Sequence, residues 1–123
     1  MKVQAYLAFN GNCQQALNFY ANLFNAEIKN KQTYEDKDMD VPASYRQKLQ
    51  HAELKGKGIF FMAYDASPDT PLNTGNQISM SIDVDDLEEG RQLFEDLSSG
   101  GRIHHDLGNA SGAILEGAPT VLE

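Results

Sequence analysis

The side chains best suited to acid–base chemistry are His51 and Glu53, two residues apart in a segment predicted to be a strand. Side chains at positions i and i+2 of a strand point to the same face. If that face lines a pocket, Glu53 could orient His51 as a general base. If the face is wet, the pair only solubilises the strand or contacts a second subunit, which is the simpler interpretation. The sequence leaves both roles open.

The other reactive side chains have no partner at a useful spacing. Cys13 stands at the start of a predicted helix, whose N-terminus favours a thiolate, although a small apolar residue covering the helix start is the interpretation we favour. His104 and His105 are adjacent on a predicted strand, so at most one of them faces a pocket, and we expect exposure to solvent. A single cysteine excludes an internal disulfide and fits a reducing cytoplasm.

Length and charge exclude several classes of function. The chain has 123 residues and a net charge of −8, which predicts one domain and argues against nucleic-acid binding. It shows no signal peptide, no apolar run long enough to span a membrane, and no P-loop, dinucleotide fingerprint or Gly-x-Ser-x-Gly elbow. We therefore expect a cytoplasmic protein without membrane or nucleic-acid partners. A methyltransferase would need a nucleotide-binding domain, for which there is no room.

The first half of the chain predicts the order β-α-β-β-β. Asn12 can cap a helix with Gln15 three residues on, and Asn25 suits its left-handed end. Gly56-Lys57-Gly58 predicts a tight hairpin turn. The predicted strands are 3–9, 27–34, 45–54 and 59–64, and the predicted helix is 13–24.

The second half predicts a copy of the first. Residues 78–82 alternate as in a strand, and Asp85 can cap a helix with Glu88 at the third position. Placing Asp85 on Asn12 gives an offset of 73 residues, which indicates an internal duplication. We therefore predict an α+β fold of two βαβββ repeats that form a curved mixed sheet with a concave cup. The repeats are about 1–64 and 77–123, joined by a linker at 65–76 within the single domain 1–123.

Several segments resemble the vicinal-oxygen-chelate superfamily, which includes glyoxalases, bleomycin-resistance proteins and extradiol dioxygenases. The similar segments are Tyr6 to Cys13, Ala16 to Tyr20 with Phe24, His51 to Leu54, and Ser79 to Asp86. They look most like the PhnB-like branch, often labelled as 3-demethylubiquinone methyltransferase-like. That branch usually has tryptophans near its C-terminus. This chain has no Trp, so we expect its C-terminal strands, within 108–123, to be shortened or altered.

The resemblance also identifies the positions at which metal-binding relatives carry ligands. These positions fall near Ala5, Phe61 and Gln77, and on an eighth strand where Glu116 or Glu123 would have to substitute. Ala5 cannot bind a metal, and Gln77 alone does not make a site. We therefore predict no metal and no other cofactor. The candidates for lining a ligand pocket are Tyr6, Phe61, Tyr64 and Gln77.

Three functions remain open, and the sequence does not decide whether the chain is an enzyme. The first is metal-free binding of a small molecule in the cup of a homodimer, as in the bleomycin-resistance relatives. The second is a metal-dependent lyase, isomerase or dioxygenase, as the likeness to glyoxalases implies. The third is a vestigial structural dimer without a ligand. The linker 65–76 is long enough for the dimer to exchange halves, as some relatives do.

Overall fold

The computed structural model describes residues 1–73, 75 and 77–99, and the backbone of 102–105 and 114–116. The chain divides into two compact units, Met1–Asn73 and Thr74–Glu123. The boundary falls inside the segment that the sequence predicts as a linker, 65–76. The number of domains stays a prediction.

The first unit is a mixed four-stranded sheet with one helix. The first strand of the chain lies at one edge beside the fourth, followed by the third and the second; the first and fourth strands run parallel, and the other neighbours are antiparallel. The β-α-β-β-β order predicted for this half is confirmed. In chain order the elements are β1 (Tyr6–Phe9), α1 (Cys13–Phe24), β2 (Glu27–Thr33), a short 3-10 turn (Ala43–Tyr45), β3 (Leu49–Gly56) and β4 (Ile59–Asp65).

The hydrophobic core lies between α1 and one face of this sheet. Leu17 and Tyr20 of α1 are completely buried, and the Tyr20 ring meets the Phe61 ring of β4 edge-on, with centroids 6.4 Å apart. Alternate residues of β3 and β4 face the helix because strand side chains alternate between the two faces. Burying each large apolar side chain stabilises the fold by about 1.5–3 kcal/mol. The buried strand residues on this face are Ala52, Leu54, Phe61 and Ala63.

The N-terminus of α1 is capped from the other end of the unit. Asn12 occupies the N-cap position but makes no side-chain capping bond. Instead the carboxylate of Asp65, only 1% exposed, accepts hydrogen bonds from the backbone N–H of Cys13 (2.9 Å) and of Leu49 (2.8 Å). The capping box predicted for Asn12 and Gln15 is therefore wrong: Asn12 has a ψ of 23° instead of the extended backbone that a capping residue usually adopts, and the first helical amide is bound by a buried carboxylate.

Two tyrosines fix the chain on either side of the Asp65 side chain. The hydroxyl of Tyr34 donates to the carbonyl of Asp65 at 2.6 Å, and the hydroxyl of Tyr45 donates to the carbonyl of Ala66. Burial raises the pKa of both phenols, that of Tyr45 to about 12, so both remain neutral donors. The β2–β3 connection is thereby held against the end of β4.

The second unit contains a helix of the same length as the first, displaced by 74 residues. This helix, α2 (Leu87–Ser98), begins after Asp86, whose side chain accepts from the Glu88 N–H. The predicted cap at Asp85 and the predicted offset of 73 are each wrong by one residue. Neither helix in the described part of the chain is long and apolar enough to cross a membrane.

The strand predicted at 78–82 is absent, since no residue from Gln77 to Val84 lies in a strand. Alternation of apolar residues predicts a face, but a strand also needs a neighbour with which to share hydrogen bonds. Here Ile78 is 83% exposed. The described strands of this unit are β5 (Arg102–His105) and β6 (Ile114–Glu116), which pair antiparallel. The strand predicted after Arg102 is confirmed.

We expect Asp65→Asn to destabilise the first unit by about 2–4 kcal/mol, because one buried N–H must then face the amide NH2 group. The free energy of unfolding from urea titration measures this change. Asp69→Asn is the matched control, since Asp69 is exposed, and its effect should stay within about 0.5 kcal/mol. Equal losses in both variants would contradict the capping role.

Candidate functional site

The candidate site lies on the face of the four-stranded sheet turned away from α1, which we call the distal face. Strand alternation and register assign residues to it: Tyr6 is paired with Met62, and Glu53 with the same Met62. Because paired residues share a face, the side chains of three strands meet here. The distal face consists of Tyr6 and Ala8 on β1, His51, Glu53 and Lys55 on β3, and Phe60, Met62 and Tyr64 on β4.

A chain of hydrogen bonds crosses the distal face over three strands. The Tyr6 hydroxyl lies 2.8 Å from Nδ1 of His51, and Nε2 of His51 lies 3.5 Å from Oε2 of Glu53. The other carboxylate oxygen of Glu53, Oε1, accepts from the side-chain amide of Asn30 on β2 at 2.8 Å. The structure therefore brings the sequence candidates Tyr6, His51 and Glu53 into one connected set.

Asn30 is the member of this set that the sequence analysis missed. Its φ of 52° is left-handed, and the β2–β3 register shifts between Lys29 and Gln32. Asn tolerates that backbone better than most residues, and the irregularity of the strand directs its amide toward Glu53. The sequence does show an Asn inside a lysine-rich strand. Strand periodicity, however, does not indicate which residue the Asn30 side chain contacts.

The charges of the set follow from its hydrogen bonds. The bond from Asn30 lowers the pKa of Glu53, and the nearby His51 and Lys55 lower it further. Partial burial raises the pKa of the Tyr6 phenol, with a smaller effect from Tyr64. The set thus presents the Glu53 carboxylate, the two ring nitrogens of His51 and the neutral phenol of Tyr6. Such a set can bind a polar group and accept a proton from it.

The apolar part of the distal face is aromatic. The rings of Tyr6 and Tyr64 contact each other edge-on with centroids 4.9 Å apart, and the Tyr6 ring meets the His51 ring edge-on at 5.6 Å. Tyr6 is 47% exposed and Phe60 38% exposed. A flat apolar molecule could therefore lie against rings that end in hydrogen-bonding groups.

Two further candidates for the pocket, Phe61 and Gln77, are not among the residues of the distal face. Phe61 is 3% exposed and faces α1, where it packs on Tyr20, so it does not line the distal face. Because strand side chains alternate between faces, Phe60 and Met62, the residues before and after Phe61, point to the distal face and Phe61 points to α1. Gln77 is exposed and belongs to the second unit, and its role in a pocket stays a prediction.

The remaining reactive groups do not form a second centre in the described residues. Burial raises the pKa of the Cys13 thiol to about 12, and the Asp65 carboxylate adds to this effect, so Cys13 is a buried core residue. The side chains of His104 and His105 lie outside the described residues, as do Glu116 and Glu123. Among the described residues no three His, Cys, Asp or Glu side chains come together as metal ligands. The absence of a cofactor stays a prediction.

A polar groove of about 510 Å³ lies at the start of α1. Its one lysine, Lys48, already donates to the Gly11 carbonyl at 2.8 Å, and its carboxylate, Asp65, is used by the two backbone amides. The groups in this groove that could recognise a charged ligand are thus occupied by the fold. The distal face remains the candidate site.

Comparison with known proteins identifies the family. Residues 1–111 match the family described as 3-demethylubiquinone-9 3-methyltransferase. The chain belongs to this family. It is a PhnB-like member of the glyoxalase superfamily, as the sequence motifs predicted.

Individual relatives agree with this assignment. Protein YjdN of Escherichia coli K12 is 26% identical over 113 residues, which span 84% of this chain and 76% of YjdN. The crystal structure of protein PA1353 from Pseudomonas aeruginosa has a TM-score of 0.75 at 29% identity, covering 86% of this chain and 78% of that one. For the PhnB protein from Bacillus cereus the TM-score is 0.66 at 25% identity, with coverages of 90% and 84%. The predicted α+β fold is thereby confirmed.

We expect Asn30→Gly to raise the pKa of Glu53 toward its ordinary value, because glycine keeps the left-handed backbone but removes the amide donor. Carbon NMR of the Glu53 carboxyl group as a function of pH measures this pKa. Asn25→Gly is the matched control: Asn25 is also left-handed, with φ of 53°, but caps the end of α1. An unchanged Glu53 pKa in Asn30→Gly would contradict the role of Asn30.

Proposed function

We propose that this protein binds a small molecule on the distal face without a metal, and that the binding form is a homodimer. The observation that carries the proposal is the hydrogen-bonded set Tyr6–His51–Glu53 beside exposed aromatic rings. Membership of the family supports the fold but assigns no ligand to this chain. The proposed ligand is held by rings on its flat faces and by Tyr6 or His51 at one polar end.

The composition of the distal face supports a binding role. Small-molecule sites are mostly apolar with a few well-placed polar groups that fix orientation. Here Tyr64, Met62 and Phe60 supply the apolar surface, and the described hydrogen bonds hold the side chains of His51 and Glu53 in place. A surface meant only for solubility would not need a polar chain that joins three strands.

The same surface supports association with a second copy. Phe60 and Tyr6 are large rings with more than a third of their surface exposed. In the four-stranded sheet of the first unit, β1 and β2 are the outer strands. Exposed strand edges and apolar patches are commonly covered by a partner. A second copy would cover both and enclose the ligand.

Methyl transfer and metal chemistry are the competing activities, and both are testable. The family description names a methyltransferase, but the first unit has a mixed sheet with one parallel pair, unlike the parallel sheets that bind nucleotide cofactors. Saturable binding of S-adenosylmethionine would overturn the proposal. So would stoichiometric Zn, Ni, Mn or Fe in the purified protein by elemental analysis.

We expect at least one compound in a broad thermal-shift screen to raise the melting temperature saturably, since a ligand bound to the folded state stabilises it. Tyr64→Leu should weaken the binding of that compound about tenfold, the upper range of one aromatic contact. Phe19→Leu, on the helix α1, is the matched control and should bind normally. The absence of any saturable hit would favour the structural dimer, and equal weakening by both variants would contradict the site.

We expect sedimentation to show a dimer at micromolar concentration, and Phe60→Lys to shift it toward monomer by placing a charge in the proposed interface. Met39→Lys is the control, because Met39 is 47% exposed in the β2–β3 connection. A stable wild-type monomer would contradict the dimer. A shift caused by Met39→Lys alone would move the interface away from the distal face.

A further inference from the structure

The hydrogen-bond chain on the distal face has a direction. We assign the ring proton of His51 to Nε2, the nitrogen that faces Glu53, because a carboxylate only accepts hydrogen bonds. In the neutral imidazole Nδ1 is then an acceptor, and the Tyr6 hydroxyl at 2.8 Å must donate to it. The phenol is neutral, because burial raises the pKa of Tyr6. The Tyr6 hydroxyl therefore uses its proton in the bond to His51, and its oxygen can accept a hydrogen bond from a ligand.

We propose that the distal face takes a molecule with a weakly acidic hydroxyl group, a phenol or an enol, and removes its proton. This inference rests on the proposed binding function and names the ligand class. The ligand O–H donates to the Tyr6 oxygen. The phenolic proton of Tyr6 passes to Nδ1 of His51, and the ligand proton passes to the Tyr6 oxygen. Tyr6 ends unchanged, the ligand becomes an oxyanion, and His51 becomes an imidazolium.

The charges around His51 favour this transfer. Glu53 stands 3.5 Å from the far ring nitrogen, at an ion-pair distance that stabilises the imidazolium once it forms. On β2 the residue opposite His51 is the uncharged Gln32, and on β1 its ring contacts the phenol of Tyr6, which in turn contacts the Tyr64 ring. Thus the nearest formal charge to the ring among these contacts is negative.

Two lysines, Lys29 and Lys55, lie on the same side of the sheet as His51. Lys29 is paired with Glu53 across β2 and β3, and Lys55 lies two residues further along β3. Lys29 also contacts Glu27 at 3.7 Å. Lys55 lies near the Glu53 carboxylate, so both lysines have acidic neighbours, and the positive charge beside the ligand oxyanion is the imidazolium formed on His51. The rings of Tyr6 and Tyr64 suit the flat body of a phenol.

The experiment uses para-nitrophenol, whose anion is coloured, so that the absorbance of the bound probe reports its ionised fraction. Near the probe's own pKa, we expect binding to the wild-type protein to raise its ratio of anion to phenol about tenfold, equivalent to one pKa unit. His51→Gln keeps a polar side chain but cannot take the proton, and should abolish the increase. Tyr6→Phe should do the same, whereas Tyr45→Phe, the matched control, should retain it.

The outcomes separate this inference from the binding function. Bound probe that stays neutral overturns the proton transfer and leaves ligand binding intact. Failure of para-nitrophenol to bind, while another compound from the screen binds, overturns the ligand class alone. Failure of every compound overturns both proposals. Equal binding of para-nitroanisole, which has the same shape without the acidic proton, also counts against the inference.

A measurement without any ligand tests the direction of the chain. Nitrogen NMR of the His51 ring, assigned through His51→Gln, should show Nε2 protonated and Nδ1 bare at neutral pH. Tyr6→Phe should shift the Nδ1 resonance by removing its donor, and Tyr45→Phe should not. A ring protonated at Nδ1 instead would overturn the inference.

Discussion

The carboxylate of Asp65 is the interaction on which the first unit depends. It lies at the end of β4 and joins the first amide of α1 to the first amide of β3. A buried charge is costly unless hydrogen bonds compensate it, and here they come from a helix N-terminus, where the dipole also favours a negative group. One side chain thereby fixes the start of α1 against the ends of β3 and β4, in the strand phase that directs Ala63 and Asp65 at the helix.

That phase determines the chemistry on the opposite face. With Ala52 and Leu54 directed at α1, His51 and Glu53 must point away from it. Apart from Asp65, the helix-facing strand residues are apolar and buried, while the distal side carries the titratable groups of the candidate site. The helix-facing side of the sheet thus stabilises the fold, and the distal side carries the proposed function. Asp65 at the end of β4 belongs to the helix-facing side.

Local patterns predicted much of the fold and part of the site. The helix over 13–24 and its left-handed end at Asn25 follow from spacing and from the conformational tolerance of Asn. The pairing of His51 with Glu53 follows from the two-residue period of a strand. Phe61 could not be placed in this way, because a continuous apolar run such as Ile59 to Tyr64 does not show which alternate residues face the helix. Asn30 could not be found either, since its role depends on a bulge.

The sequence by itself determined the family, through segments that resemble known members. It also determined the α+β class and the order of the elements in the first unit, because these follow from local periodicity and turn residues. Only the tertiary structure decided that Asp65, 52 residues from Cys13 along the chain, caps α1. Likewise it alone connected Tyr6 with His51 across 45 residues. Both are contacts between groups distant in the chain, and their geometry depends on strand register. The residues from Gly11 to Ile28 thus specify the helix α1 through their own spacing, whereas the carboxylate that binds the first amide of α1 comes from Asp65 on β4.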